Sequence, residues 1–401
     1  MSLNETVSAD RVHIGFFGKR NVGKSSLVNA VTGQKLAVVS DVLGTTTDPV
    51  KKAMELLPIG PVMIIDTPGF DDVGELGKMR VEKTREILAK TDVAVFVTDA
   101  TREMSADEAE FLDLLKEKKL AYIVAHNKSD ALTVVPEPTE RDIWVSAKEG
   151  LNVNELKEKI GALSKGRQNK RRIVADLIES GDTVVLVTPI DESAPKGRLI
   201  LPQQQTIRDI LDSHAMAIVC QPEELTAALN SLARPPKMVI TDSQAFGKVA
   251  PMVPENVPLT SFSILFARYK GELLTQVKGA AALSRLKKGD RVLISEGCTH
   301  HRQCGDIGTV KLPRLIEKTV GFKPDFTFTS GGEFPSDLSE YKLLIHCGAC
   351  MLNEAEVAHR IGKARESGVP AVNYGMAIAY MNGILRRSLS IFPEALAVLG
   401  E

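Results

Sequence analysis

The sequence predicts an α/β protein built from three domains, each with a mostly parallel β-sheet. Its 401 residues are enough for two to four domains. Apolar strand patterns alternate with helical patterns along most of the chain, which is typical of parallel sheets covered by helices. A basic stretch at 165–172 separates the first alternating segment from the rest. We interpret this stretch as a solvated linker, with a partner-docking patch as the alternative.

The first segment, residues 1–165, predicts the largest sheet. Strands are predicted at Val12–Phe17, Val62–Ile65, Val93–Val97, Tyr122–Ala125 and Ile143–Val145. Helices are predicted at Lys24–Val31, Met79–Lys90, Ala106–Glu117 and Val153–Leu163. Because helices and strands alternate in sequence, we expect helices on both faces of this sheet.

The second and third segments, 173–265 and 266–401, show the same alternation on a smaller scale. The strands fit Val184–Val187, Ala217–Cys220, Met238–Thr241, Arg291–Ser295, Asp325–Thr329, Tyr341–Ile345 and Ala371–Tyr374. The helices fit Gln204–Ser213, Glu223–Leu232, Ala245–Val249, Leu273–Leu286, Pro313–Thr319, Glu354–Glu366 and Ala377–Ser388. Two smaller α/β domains therefore follow the first.

Composition and charge narrow the class of protein. The formal net charge is −1 and the pI is near 6.7, so binding nucleic acid would need a local basic patch. Residues 1–11 are polar, and no run approaches the roughly 18 apolar residues of a membrane span. We therefore expect a cytoplasmic protein. Its five cysteines are an odd number, which argues against a disulfide framework.

A phosphate-binding loop is predicted at 18–25, where GKRNVGKS has the form G-x-x-x-x-G-K-S. The loop follows an apolar strand and opens a helix, which is the context that the motif requires. Gly18 and Gly23 let the backbone wrap the phosphates with its N–H groups. Lys24 is expected to reach the β- and γ-phosphates. Ser25 is expected to bind Mg²⁺, and Ser26 is assigned to the same nucleotide site.

Three further motifs complete a nucleotide site: DTPG at 66–69, NKSD at 127–130 and SAK at 146–148. In DTPG at 66–69, Asp66 is expected to hold Mg²⁺, and Gly69 lets the backbone approach the γ-phosphate. A carboxylate accepts from both guanine N1–H and the exocyclic amine, a pair of donors that adenine lacks, so Asp130 selects guanine. The Ala147 N–H is expected to donate to guanine O6. The predicted base-binding residues are Asn127, Lys128, Asp130, Ser146, Ala147 and Lys148.

A metal site is predicted in the third segment from C-x-H at 298–300 and H-C-x-x-C at 346–350. Each motif follows an apolar strand. If these strands are parallel members of one sheet, their carboxyl ends lie at one edge, where Cys298, Cys347 and Cys350 can converge. His300 and His346 are possible additional ligands.

The residues alone leave the metal open. Zinc in a Cys₃His site would be closed and structural, whereas an iron–sulfur cluster on three cysteines would leave one iron with an exchangeable ligand. On this evidence zinc is slightly favoured. We interpret Cys304 as a packed or free thiol and Cys220 as a core residue.

The four nucleotide motifs resemble those of the TRAFAC-class GTPases, especially the Era and TrmE group. The resemblance covers residues 11–150 and implies a Ras-like fold and GTP hydrolysis. GTTTD at 44–48 is similar to the G-T-T-R-D of TrmE relatives, which makes Thr46 the Mg²⁺-binding threonine of switch I. Asn21 matches an asparagine that binds K⁺ in potassium-activated relatives. Phe70 stands where Ras-type enzymes have a water-orienting glutamine, so we expect slow hydrolysis that K⁺ stimulates more than Na⁺.

The whole chain resembles the HydF family of [FeFe]-hydrogenase maturation GTPases, on the GTPase motifs combined with C-x-H and H-C-x-x-C. The resemblance implies a GTP-binding domain at 1–165, a dimerisation domain at 173–265 and a cluster-binding domain at 266–401. It implies a [4Fe–4S] cluster on Cys298, Cys347 and Cys350, and iron is then favoured over zinc. The fourth ligand stays open, with His300, His346 and Asp191 as candidates.

The same resemblance implies a scaffold and carrier that works as a homodimer. It would receive a di-iron precursor built by the radical-SAM maturases HydE and HydG and deliver it to the apo-hydrogenase HydA. The chain has no C-x-x-x-C-x-x-C motif, so it is not expected to be a radical-SAM enzyme itself. Two alternatives are an RNA-associated Era/TrmE-like GTPase with a structural zinc module, and a GTPase that inserts zinc or nickel.

Overall fold

The structure, a computed structural model, describes residues 11–34, 50–69, 84, 86–165, 172–190, 199–270, 272–297, 306–331, 333–349 and 352–400. It divides into two compact units, with unit 1 at 1–169 and unit 2 at 170–401. Across the described ranges, no helix is both long enough and apolar enough to cross a membrane.

Unit 1 contains a six-stranded sheet in the order β2-β3-β1-β4-β5-β6. The strands are β1 Val12–Phe17, β2 Val50–Leu56, β3 Gly60–Asp66, β4 Val93–Asp99, β5 Ala121–Asn127 and β6 Asp142–Trp144. All neighbouring strands are parallel except β2 and β3, which pair antiparallel. The carboxyl ends of β1, β3, β4 and β5 therefore lie at one edge, where the predicted nucleotide motifs follow.

Helices cover both faces of this sheet, which explains its continuous apolar runs. They are α1 Lys24–Thr32, α2 Ala106–Glu117 and α3 Val153–Lys165, with a further helical stretch at 86–89. On β4, Val93 and Val95 pack into the core shared with α1 and α3, whereas Ala94 and Phe96 pack into the core shared with α2. Successive side chains of this one strand therefore pack into two different hydrophobic cores, one on each face of the sheet.

Unit 2 contains two four-stranded sheets, both entirely parallel in their pairing. The first has the order β10-β9-β7-β8 and the second β12-β11-β13-β14. The first comprises β7 Thr183–Val187, β8 Met216–Cys220, β9 Met238–Thr241 and β10 Leu259–Ser261. The second comprises β11 Arg291–Ser295, β12 Asp325–Thr329, β13 Leu343–His346 and β14 Ala371–Asn373.

The helices of unit 2 join the two sheets through one shared core. They are α4 Leu201–Asp212, α5 Leu225–Asn230, α6 Phe246–Val249, α7 Phe262–Tyr269, α8 Leu273–Ala281, α9 Leu312–Val320, α10 Glu354–Glu366, α11 Tyr374–Met381, α12 Leu385–Ser388 and α13 Pro393–Gly400. Val185 of β7 and Ile294 of β11 belong to the same buried cluster, whereas Leu293 packs on α10 at the opposite face. Gly279 lets α8 press onto β14, because a Cβ there would lie 1.9 Å from the Ala371 carbonyl oxygen.

The predicted fold class, α/β with mostly parallel sheets, is confirmed. Strand β2 was missed because it is an exposed edge strand whose Lys51 and Lys52 interrupt any apolar pattern. The single helix predicted at 377–388 was wrong. The chain leaves the helix at Asn382 and turns through Gly383, whose φ is +71°, before α12 begins. The predicted domain boundary inside unit 2 stays a prediction.

Candidate functional site

The phosphate loop connects β1 to α1 through backbone conformations that glycine favours. Gly23 has φ +86°, and a Cβ there would lie 2.3 Å from Asn127 Nδ2. A Cβ on Gly18 would lie 2.2 Å from the Val97 carbonyl oxygen. Asn21 also has a positive φ, at +58°. The loop therefore turns tightly next to the N-terminus of α1, and a tight turn at a helix N-terminus is the backbone arrangement that binds phosphate groups in proteins.

Lys24 is held over this loop. It is the first residue of α1, it is only 8% exposed, and its Nζ donates to the Lys19 carbonyl oxygen at 2.6 Å. Ser26 follows in the same helical turn. The ammonium is thus placed beside the anion-binding turn, as contact with phosphate oxygens requires.

A hydroxyl and a carboxylate lie together beside the loop and fit a Mg²⁺ ion. Ser25 Oγ donates to Asp66 Oδ2 at 2.8 Å. Asp66 Oδ1 is buried and accepts no hydrogen bond from the described residues. Burial raises the pKa of Asp66, while the Ser25 hydroxyl and the Lys24 charge oppose this shift. A desolvated carboxylate with a spare oxygen is the type of ligand that Mg²⁺ takes in phosphate sites.

The chain direction after Asp66 is fixed by Thr67, whose Oγ1 donates to the Phe16 carbonyl oxygen at 2.6 Å. This bond ties the end of β3 to β1 and leads the chain to Gly69, the last described residue of the segment. Thr46 and Phe70 lie outside the described residues, so their predicted roles stay predictions.

The base motifs meet at the ends of β5 and β6. Asp130 Oδ1 accepts from Ser146 Oγ at 2.6 Å, and this bond is the main cause of its lowered pKa. Asp130 is exposed, so its ionised carboxylate faces solvent. Lys128, at φ +67°, donates to Asp99 Oδ2 at 2.6 Å, and Lys148 is exposed. The structure therefore leaves an ionised, exposed carboxylate at Asp130, and its selection of guanine stays a prediction.

Asn127 connects two parts of the site in a way that the sequence did not predict. It is 3% exposed, and its Nδ2 donates to the Val22 carbonyl oxygen at 2.9 Å. Its Oδ1 accepts from the Ala147 N–H at 3.0 Å. Asn127 thus joins the phosphate loop to the loop at 146–148. Recognition of guanine O6 by Ala147 stays a prediction, since this N–H already donates to Asn127.

The cysteine turn, residues 346–352, begins at the carboxyl end of β13. Strand β11 pairs parallel with β13, and Ser295 lies opposite His346, so the two strands are parallel members of one sheet, which is the condition for the predicted convergence. Gly297 N donates to Cys347 Sγ at 3.0 Å, and Ala349 N donates to the same sulfur at 3.4 Å. The residue just before Cys298 therefore touches the sulfur of Cys347.

Cys298, His300, Cys304, Cys350 and Asp191 lie outside the described residues. Among the described residues no group of three or more His, Cys, Asp and Glu side chains is arranged to hold a metal. What the described part provides is one cysteine sulfur with two backbone N–H donors. This environment favours a thiolate and is common around iron–sulfur clusters, so Cys347 fits the cluster.

His346 is buried and both of its ring nitrogens are engaged. Nδ1 lies 2.8 Å from the Cys347 carbonyl oxygen, and Nε2 lies 3.3 Å from a terminal nitrogen of Arg360. Since a guanidinium only donates, Nε2 accepts and Nδ1–H donates. Burial lowers the pKa of His346 to about 3, with the Arg360 charge contributing. Its role as a fourth ligand stays a prediction, and ligation through either nitrogen would replace one of these bonds.

Arg360 of α10 is fully buried beneath the turn and was missed by the sequence analysis. It donates to Glu356 at 2.8 Å and to the Gly331 carbonyl oxygen at 2.7 Å. It also donates to Ser295 Oγ at 3.3 Å. The sequence does contain a signal that could have identified Arg360. Glu356 and Arg360 are four residues apart, which places the two opposite charges one helical turn apart on the buried face of α10.

Three family models match the chain. The 50S ribosome-binding GTPase model matches residues 13–128. The hydrogen maturase F dimerization domain matches 173–271, and the hydrogen maturase F tetramerization domain matches 274–391. With its phosphate loop, magnesium pair and base motifs on a Ras-like sheet, unit 1 is a P-loop GTPase domain. Because the two maturase models together match nearly all of unit 2, the chain belongs to the hydrogen maturase F (HydF) family.

Similar proteins with known names match the GTPase domain. The tRNA modification GTPase MnmE of Thiobacillus denitrificans is 35% identical over 144 residues, covering 36% of this chain and 32% of the relative. MnmE of Desulforamulus reducens is 41% identical over 114 residues, covering 28% of this chain and 24% of the relative. This chain thus spans about a third or less of the length of these relatives.

Two solved structures also align. A probable GTP-binding protein engB is 27% identical, with a TM-score of 0.33, and the match covers 39% of this chain and 100% of that one. A point variant of Aquifex aeolicus Era (one tyrosine replaced by alanine) bound to GDP·AlF4⁻ is 20% identical, with a TM-score of 0.34, and the match covers 52% of this chain and 91% of that one.

Proposed function

We propose that the protein is a hydrogenase maturation GTPase that carries a [4Fe–4S] cluster and a di-iron precursor and delivers the precursor to apo-[FeFe]-hydrogenase. One observation carries this proposal. The same chain has a P-loop GTPase domain and, in its hydrogen maturase F portion, a Cys347 sulfur that accepts one N–H bond from Gly297, the residue before Cys298, and one from Ala349. The maturases HydE and HydG, which would supply the precursor, and HydA, which would receive it, are proposed from the family resemblance.

GTP hydrolysis is the activity proposed for unit 1. The phosphate loop and Lys24 bind the β- and γ-phosphates, and Ser25, Asp66 and Thr46 hold Mg²⁺ between them. Asp130 selects guanine. Catalysis then rests on electrostatic stabilisation of the transferring phosphoryl group, since Phe70 cannot orient water.

We propose that K⁺ supplies part of this stabilisation through Asn21. The positive φ of Asn21 places it on the turn of the phosphate loop. Hydrolysis rates measured in KCl and in NaCl at equal ionic strength test this step. A higher rate in KCl is expected, and equal rates would remove K⁺ from the proposal.

Cys298, Cys347 and Cys350 are the proposed cluster ligands. When bound, the cluster would supply one iron with an exchangeable ligand. The chain itself contributes a preformed sulfur environment, because the Gly297 and Ala349 N–H groups point at Cys347 Sγ. Gly297 is required for this packing, since a Cβ there would lie 2.7 Å from Leu352 Cγ.

We propose a homodimer that uses the outer edge of β8. This edge strand leaves Met216 54% and Val219 43% exposed, and neighbouring Leu211 of α4 is 54% exposed. An apolar edge strand offers unpaired backbone groups and buries apolar area when a second copy pairs with it. Light scattering of Val219→Lys should give a lower mass than the wild type, whereas an unchanged mass would exclude this edge.

Anaerobic iron and sulfide analysis, with electron paramagnetic resonance after reduction, tests the carrier proposal. The triple change Cys298→Ser, Cys347→Ser, Cys350→Ser should abolish the cluster and leave GTP hydrolysis intact. Lys24→Ala should do the opposite, and Cys220→Ser serves as a matched cysteine control that changes neither. Wild-type protein that contains zinc and no iron would overturn the proposal.

An RNA-associated GTPase with a zinc module is the second candidate. It is favoured by the 35–41% identity of unit 1 to tRNA modification GTPases. Salt-dependent binding of RNA by zinc-loaded protein would support it. The match of nearly all of unit 2 to hydrogen maturase F models favours the first proposal.

A further inference from the structure

The two sheets of unit 2 have the same construction. In chain order, the four strands of each sheet have five, five, four and three residues. When the strands of each sheet are numbered along the chain, both sheets have the spatial order 4-3-1-2. The registers also agree, since Val184 of β7 lies opposite Met238 and Val292 of β11 lies opposite Leu343. Strand β8 of the first sheet is therefore equivalent to β12 of the second.

The helices that follow the last strand of each sheet support this equivalence. Helix α7 follows β10 and α11 follows β14, and each has eight residues. The side chain of Ser261 caps α7 by accepting from the Ile264 N–H, and the side chain of Asn373 caps α11 by accepting from the Met376 N–H. The two halves of unit 2 thus agree in a helix and its cap as well as in their strands.

The sheet edges of unit 2 differ in how they are covered. The edge strands β10 and β14 are three residues long and buried at every residue. The edge strands β8 and β12 are five residues long, and in both the first and fourth residues are exposed. The fourth residue is apolar in both, with Val219 43% and Phe328 37% exposed. A long apolar edge of this kind favours pairing with a further strand.

Strand β12 has none of the features that usually prevent such pairing. The exposed edge strand β2 of unit 1 carries Lys51 and Lys52, which discourage a second strand from binding. In β12 the one charged residue is Asp325, at the first position, and there is no proline. Apart from its ladder with β11, no backbone hydrogen bond joins residues 326–328 to another described residue. The outer edge of β12 can therefore accept a partner strand.

The sequence of β12 is complementary to itself about a two-fold axis through Thr327. Such an axis pairs the two copies of the strand antiparallel. Phe326 of each copy then lies opposite Phe328 of the other, and all four rings share one face, because residues two apart in a strand do. Within one copy these two rings are already 6.3 Å apart. Asp325 lies opposite Thr329 in this register, so the two Asp325 carboxylates are kept apart.

We propose that the outer edge of β12 binds β12 of a second copy of this chain, in addition to the β8 contact, so that the protein is a dimer of dimers. Strand β8 lies in the part of the chain that matches the dimerization domain, and β12 lies in the part that matches the tetramerization domain. Each contact would join two four-stranded sheets into one of eight strands. The β8 contact rests on the proposed homodimer, whereas the β12 contact depends on neither iron nor GTP.

Sedimentation and light scattering of the full-length protein over a range of concentrations test this inference. The wild type should reach the mass of four chains. Phe328→Lys should halve this mass, because it removes the ring pairs and adds a charge to the edge. Val219→Lys should also halve it, and the two changes together should give single chains. Leu274→Lys is the matched control and should keep four chains, because Leu274 is 40% exposed but lies on α8 and not on an edge strand.

The outcomes separate the two contacts. A wild type that never exceeds two chains would overturn the β12 contact and leave the proposed homodimer standing. An unchanged mass in Phe328→Lys with wild-type circular dichroism would also overturn it, as would a halved mass in Leu274→Lys. If Phe328→Lys does not fold, Thr327→Lys decides, because its two new charges would face each other across the axis and should halve the mass. Four chains in folded Thr327→Lys would refute the contact.

Discussion

The nucleotide site and the cysteine turn both lie where parallel strands end, but their charged groups are held in different ways. Around the nucleotide site, the ion pairs Lys19–Asp107 and Lys128–Asp99 lie near the surface, whereas Lys24 and Asp66 within the site are buried but do not form an ion pair with each other. Beneath the cysteine turn, Arg360 and Glu356 are 0% and 5% exposed at their side chains.

Because of this difference in burial, charged groups in the two regions contribute differently to stability and to ligand binding. A surface ion pair adds little to stability, and its groups stay available to a ligand. A buried pair adds little as a whole, but loss of one partner leaves an uncompensated charge in the interior. Changes in the nucleotide site should therefore alter binding, whereas changes beneath the cysteine turn should alter folding.

The largest effect is expected for Arg360→Met. It removes the partner of buried Glu356 and the donors to Ser295, Gly331 and His346, and it should lower the free energy of unfolding of unit 2 by about 3–5 kcal/mol. Trp144, the chain's one tryptophan, lies in unit 1. Urea unfolding followed by circular dichroism should therefore show an early transition that Trp144 fluorescence does not report.

Two variants control this experiment. Arg365→Met removes an exposed arginine from the same helix and should change stability by less than about 0.5 kcal/mol. Adding Glu356→Gln to Arg360→Met removes the buried negative charge that Arg360 balances and should recover part of the loss. If Arg360→Met were as stable as the wild type, the buried pair would contribute no more to stability than the surface pairs at the nucleotide site.

Gly23→Ala should have the next largest effect, on binding as well as on stability. The new Cβ would meet Asn127 Nδ2, so the Asn127 side chain must move and weaken the bond from its Nδ2 to the Val22 carbonyl oxygen or the bond that its Oδ1 accepts from the Ala147 N–H. Gly33 ends the same helix with φ +65° and open space around it, so Gly33→Ala costs only the left-handed strain of about 1–2 kcal/mol. Calorimetric titration should show GTP affinity reduced at least tenfold in Gly23→Ala and unchanged in Gly33→Ala. Equal affinity in both variants would contradict the contact.

The third effect is a loss of stability in acid, carried by His346. Its pKa is about 3 in the folded protein against an ordinary value of 6.5, so below pH 6.5 the unfolded chain binds a proton that the folded chain does not. Stability therefore falls as pH decreases from 6.5 toward 3, by about 1.4 kcal/mol per pH unit. Metal-free wild type should lose about 2 kcal/mol more than His346→Gln between pH 7 and pH 5. Identical pH slopes in urea unfolding would refute the buried, neutral histidine.

How much of this the sequence could predict depends on whether an interaction is local. Runs such as Val93–Asp99 are buried on both faces of the sheet and were therefore visible as apolar strands. The edge strand β2 carries Lys51 and Lys52 in solvent and leaves no such pattern. The helix break at Asn382 and Gly383 depends on a backbone turn that helical periodicity cannot register.

The residues of the two sites also divide into those that a sequence motif could predict and those that it could not. The motifs assigned Ser25 and Asp66 to one Mg²⁺ site. The structure brings them together because β1, which leads into the phosphate loop before Ser25, pairs parallel with β3, which ends at Asp66. Motif spacing could not place Arg360, which reaches the residues beneath the cysteine turn from α10 and belongs to no motif. The bridge that Asn127 makes between two loops was hidden for another reason, since the motif assigns that residue to the base.

The smallest effect on stability is expected for the exposed ion pair between Lys19 and Asp107, next to the nucleotide site. Asp107→Asn removes the partner of Lys19, whose carbonyl oxygen accepts from Lys24. Asp107 is 65% exposed, so the loss of stability should stay below about 1 kcal/mol and should shrink further in high salt. Asp113→Asn breaks the exposed pair with Lys116 on the same helix and is the matched control. Both variants should unfold alike, and only Asp107→Asn should weaken GTP binding, because only Lys19 lies in the phosphate loop. If Asp107→Asn lost nearly as much stability as Arg360→Met, exposed charges at the nucleotide site would also stabilise the fold. The two regions would then differ in the burial of their charges and not in the effect of those charges on stability.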